Sequence, residues 1–98
     1  MKINTQTPIK NLDGKDIKDG DKFFTIGKAL SEIMLGAEVG GKMKCFVIAQ
    51  KFYNDKEVDL DEADKELVKS TIEVTKLYNN LVTGQLLLIL TETPKETK

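Results

Sequence analysis

Between Thr25 and Gly36 the apolar residues Ile26, Ala29, Leu30, Ile33 and Met34 recur three and four positions apart, the spacing of one helix face. Thr25 is placed as an N-cap and Gly36 as a stop, so a helix is expected over about Ile26 to Leu35. Gly40-Gly41 reads as a flexible joint, the chain's best hinge. Lys42 to Tyr53 carries two patterns. Cys45-Phe46-Val47-Ile48-Ala49 could be a buried strand, whereas Phe46, Ala49, Phe52 and Tyr53 fit helical spacing. Its length favours helix, with Asn54-Asp55 as the end. Asp61 then suits an N-cap, and Leu60, Ala63, Leu67, Val68, Ile72, Val74 and Tyr78 stay near one stripe of a further helix. Asn79-Asn80 reads as a break. Leu81 to Thr91 is expected to be a helix apolar nearly all round, closed by Pro94.

The first 24 residues lack this period. Asp13-Gly14 and Asp19-Gly20 are turn dipeptides, and Phe23-Phe24 follow the second. They predict a β-hairpin, or a strand with an irregular arm, and Pro8 confines the first strand to an edge or ends it early. The expected class is therefore α+β, an N-terminal β-hairpin packed on three to four short α-helices, with all-α as the alternative. Residues 1–92 form one compact domain in this reading, and the tail 93–98 is disordered.

Composition narrows the chemistry. The chain has 98 residues, enough for one core without disulfides. Charge is balanced, 15 lysines against 16 acids, which argues against nucleic acid as the partner. Arginine, histidine and tryptophan are absent, removing the usual general base and the commonest metal ligand. Ser31 and Ser70 therefore have no imidazole to activate them, and the glycines form no phosphate- or dinucleotide-binding motif. No enzyme and no cofactor are expected. The acids around Asp13–Asp21 and Asp55–Asp64 miss the calcium-loop spacing, so no metal is expected either. Cys45, the lone cysteine, lies beside Phe46, Val47 and Ile48 and reads as a small core residue in a reducing compartment. Met1 to Thr5 lacks the apolar core of a signal peptide, and the run Leu81–Leu90 is about half of a membrane span of roughly 20 residues.

Two surfaces could meet a protein partner. Asp55 to Glu66 holds seven acids against Lys56 and Lys65, net −5. Within it Asp59, Asp61, Glu62, Asp64 and Glu66 could form an acidic ridge facing a basic partner, steered at long range and weakened by salt. The bland reading is helix capping and solvation. The second surface is the C-terminal helix, where Leu81, Leu86, Leu87 and Leu90 offer a homo-oligomer seam. Lys42, Lys44 and Lys51 suggest a weaker DNA-contact alternative.

Four short stretches carry a resemblance: Leu12-Asp13-Gly14-Lys15, Thr25-Ile26-Gly27-Lys28-Ala29-Leu30, Phe52-Tyr53 before Glu57-Val58-Asp59-Leu60, and Leu81-Val82-Thr83-Gly84-Gln85-Leu86. In this order, over about residues 9–92, the chain resembles a group of small phage and prophage proteins of unassigned function, interrupted at Glu38-Val39-Gly40-Gly41. The resemblance implies phage or prophage origin and the bacterial host cytoplasm, and brings no catalytic residues. Together these readings point to an accessory protein acting by protein–protein contact. It would either inhibit a host nucleic-acid-handling or defence protein through the ridge, or assemble through its C-terminal helix.

Overall fold

The structure, a computed structural model, describes residues 2–37 and 41–91. Element order is β1 (Lys2–Asn4), β2 (Lys18–Asp19), β3 (Lys22–Phe23), α1 (Ile26–Leu35), α2 (Lys42–Asn54), β4 (Glu57–Asp59), α3 (Glu62–Val74) and α4 (Asn80–Thr91). The class is α+β. Gly40 and the tail 93–98 lie outside the described residues; Gly41 directly precedes α2.

The N-terminal segment divides into two parts. β2 and β3 form a small antiparallel hairpin, Lys18 opposite Phe23, with Gly20 at φ +70° in the turn. The earlier turn closes at Lys10 and Asp16, where Gly14 takes φ +86° and Asp13 Oδ1 accepts from the Lys15 amide at 3.0 Å. β1 does not join this hairpin. It pairs antiparallel with β4, Ile3 opposite Val58, which places Ile3 and Val58 in the core and their neighbours in solvent. The strand β4 was hidden in the sequence because three residues of alternation, Glu57-Val58-Asp59, merge into the acidic run that precedes α3.

Helix α1 follows its spacing. Thr25 Oγ1 accepts from the Lys28 amide at 3.4 Å, and Ile26, Ala29, Leu30, Ile33 and Met34 are buried. Gly27 is buried too: a Cβ there would lie 2.6 Å from the Phe52 carbonyl oxygen and 2.6 Å from Thr5 Cβ. The missing side chain is what lets α1 seat against α2 and the end of β1. Thr5, itself buried, donates its hydroxyl to the Asp55 and Lys56 carbonyls at 2.5 and 3.1 Å, satisfying backbone acceptors where α2 gives way to β4.

The stripe expected to continue to Tyr78 stops earlier. α3 ends at Val74, where Thr75 turns to φ −68°, ψ 145° after a run rich in β-branched residues (Thr71, Ile72, Val74), which favour helix weakly. Val68, Thr71 and Ile72 are buried, while Val74 and Ala63 are exposed. Tyr78 sits in the connector instead, its ring 5.4 Å from that of Phe24 and its hydroxyl donating to Glu32 Oε2. Asn79, read as a break, caps α4: its Oδ1 accepts from the Val82 amide at 3.4 Å. Helix α4 contributes Val82, Leu86 and Leu90 to the same core as Ile3, Ile9, Leu30, Phe52 and Ile72.

Candidate functional site

Helix α2 is apolar on two sides. Its buried row is Cys45, Ile48, Ala49 and Phe52, one helical face held against α1 and β4. At 100° per residue, Met43, Phe46, Val47, Gln50 and Tyr53 lie on the opposite side, roughly 150° away. All five are solvent-exposed, Met43 at 74% and Tyr53 at 70%. Helical spacing alone groups Phe46 and Tyr53 with Ala49 and Phe52. The structure separates them, because only a residue three or four positions from Cys45 and Ile48 turns inward. Leu35, at the end of α1, adds another exposed apolar side chain next to Phe46.

The acidic stretch is differently organised. Asp59 ends β4, and Asp61, Glu62 and Glu66 are exposed around the start of α3. Asp61 Oδ1 accepts from the Asp64 amide at 2.7 Å and so caps the helix. Asp64 turns away from the others. Its side chain is 19% exposed, and its Oδ1 lies 2.9 Å from Lys44 Nζ on α2. The hydrogen bond to Asp64 and its negative charge hold the Lys44 ammonium pKa above its ordinary value, outweighing the opposing effect of desolvation. Glu62 lies 3.9 Å from Lys65. Of the five expected ridge residues, Asp59, Asp61, Glu62 and Glu66 are exposed, whereas Asp64 serves an ion pair between helices and Asp61 also serves a cap. Since Lys44 is engaged by Asp64, Lys42, Lys44 and Lys51 do not form a free basic stripe.

The proposed oligomer seam is corrected by burial. Leu86 and Leu90 are 1% and 0% exposed, packed inside the chain's own core, and cannot also meet a second copy. Leu81 and Leu87 are half-buried, and the exposed leucine of α4 is Leu88. Residues 82, 86 and 90 form the inward row of α4, and a helix apolar all round conceals which row that is.

Cys45 is buried as a core residue. Among the described residues no group of three or more carboxylate or thiol side chains is gathered as a cage for a metal ion. No helix among them is long and apolar enough to cross a membrane. A contact that sequence reasoning missed is made by Gln85 on α4: its Oε1 accepts from the Lys10 amide at 3.0 Å, and its Nε2 donates to the Lys10 carbonyl at 2.6 Å. No protein-family model, curated protein or solved structure matches this chain.

Proposed function

We propose that this chain is a non-enzymatic accessory protein of phage or prophage origin, working in the bacterial host cytoplasm by contact with another protein through the outer face of α2. The observation that carries this reading is the second apolar row of that helix. A helix whose only task is to cover a core shows one apolar stripe and a polar back. Here Met43, Phe46, Val47 and Tyr53 stand in solvent, Phe46 and Tyr53 beside Leu35, while a separate row fills the core. Exposed apolar residues grouped on one element mark contact sites, whereas scattered ones need no explanation.

Tagged capture from lysate of a lysogen, identified by mass spectrometry, tests the reading. Phe46→Glu with Tyr53→Lys should abolish capture of the partner while the helical circular-dichroism signal stays intact. Unchanged capture by this folded variant would sink the assignment of the contact to α2.

A second reading, inhibition of a basic host protein through the acidic ridge, is favoured by the common exposure of Asp59, Asp61, Glu62 and Glu66. Its clean variant is Glu62→Lys with Glu66→Lys, since neither residue caps the helix or pairs with Lys44. In that reading this change alone removes the partner, and does so most strongly at low salt.

A further inference from the structure

Four shallow depressions lie along the seam between α1 and α2, and neighbouring ones share their walls. Leu35 and Phe46 belong to the first and second, Ser31 and Tyr53 to the second and third, Lys28 and Tyr53 to the third and fourth. At about 240 to 410 Å³ each is small. Joined, they make one trough that follows α1 from its C-terminal to its N-terminal end. Ten helical residues fix its length at about 15 Å.

The chemistry changes along the trough. Its second depression is mainly apolar, formed by Leu35, Phe46, Ala49 and the Tyr53 ring with Ser31, Gln50 and Asn54 at its edge, and the third adds Phe24 and the polar Glu32. Both ends are basic. Lys42 stands at one end, and Lys22 and Lys28 stand at the other, beside Phe23. None of these three lysines joins an ion pair among the described residues. Glu32 is the single acid among the described residues lining the trough, and its carboxylate already accepts the Tyr78 hydroxyl.

We infer that this trough is the docking site for a short amphipathic helix of another protein, about ten residues long, with apolar side chains on its central turn and acidic residues at both ends. The inference rests on the protein-contact reading of α2 and adds the chemistry of the partner. Shape sets the length: a helix of two to three turns matches α1, along which the trough runs. Charge sets the ends, since ammonium groups at the rim, in no ion pair among the described residues, reward carboxylates and reject lysine or arginine. The same charges oppose pairing of this trough with the same trough of a second copy. Face-to-face two-fold pairing sets lysine ends against lysine ends, whether the troughs run parallel or antiparallel.

The test is selection from a displayed library of helical peptides with a fixed apolar face and randomised ends, followed by binding of the enriched peptides as purified fluorescent probes. Enrichment of Asp and Glu at both ends is expected. Binding should weaken about tenfold or more for the variant Lys22→Glu, Lys28→Glu, Lys42→Glu, and it should vanish for Phe46→Glu. Raising salt until the Debye length is about 3 Å should remove most of the preference for acidic ends. Peptides that bind this face with neutral or basic ends would overturn the inferred partner chemistry and leave the contact reading standing. No enrichment would overturn the inferred helical partner and leave the contact reading to the capture experiment, whereas binding indifferent to Phe46→Glu would overturn both.

Discussion

The Lys44–Asp64 pair shows how one side chain can be diverted from surface to structure. Two residues of acidic sequence away, Glu62 and Glu66 remain in solvent, whereas Asp64 sits against the first turn of α2 with its Oδ1 at 2.9 Å from the ammonium. The raised pKa of Lys44 makes this contact a pH-dependent contribution to stability. Because the folded value lies above the unfolded one, near 10.5, the contribution is fully present below that unfolded value and is lost as pH rises through the raised folded value. Lys44→Gln removes the pair at every pH. The difference in urea midpoint between wild type and Lys44→Gln should therefore stay constant from neutral pH to about 10 and close at more alkaline pH. A difference that persists unchanged into strong alkali would show that the pair contributes through packing and not through charge.

At the level of elements, helix positions were legible wherever a cap and a 3.6-residue period agreed. Thr25 and Asp61 start their helices as their chemistry dictates, and Lys42 to Tyr53 resolves as helix because twelve residues exceed a strand of this domain. The pairing of β1 with β4 was not legible, since partners more than fifty residues apart leave no local signal and each strand has only three residues. The orientation of α2 was also hidden, because two apolar rows compete for the core. The structure assigns Phe52 to the core and leaves Phe46 nearly half exposed, though both are phenylalanines of one helix. Phe52→Ala should accordingly cost about 3–5 kcal/mol in chemical unfolding, from lost burial and the cavity left behind. Phe46→Ala should cost about 0.5 kcal/mol. Equal losses would mean that Phe46 belongs to the folded core and that α2 has no free face.

Across the whole molecule, the four stretches that carry the resemblance turn out to hold structural duties. Leu12-Asp13-Gly14-Lys15 makes the turn, Gly27 permits the close approach of α1, Val58 forms the β4 bridge, and Gln85 fastens the N-terminal arm to α4. The face of α2 that we propose as a contact draws on Phe46 and Leu35, outside those stretches, and on Tyr53, inside one. Fold was more legible than site because turns and close approaches demand particular residue types, whereas an exposed apolar row becomes visible only when the buried row is known. The Gln85 contact is also the longest closure described, joining residues 75 apart. Its amide meets the Lys10 backbone as a neighbouring strand would, giving one donor and one acceptor. The arm from Pro8 to Phe24 is paired mostly within itself, by the β2–β3 hairpin, the Lys10–Asp16 bridge and the bonds among Ile9, Ile17 and Phe24, so this clamp to α4 should govern its local opening more than global stability. Gln85→Leu removes both bonds, and Gln85→Glu keeps the acceptor for the Lys10 amide while losing the donor. In native-state hydrogen exchange the Lys10 amide should therefore exchange about tenfold faster in the leucine variant, and less so in the glutamate variant, with the Ile72 amide nearly unchanged. Acceleration of Ile72 to the same degree would instead make the clamp part of the global fold, and the arm inseparable from the helical core.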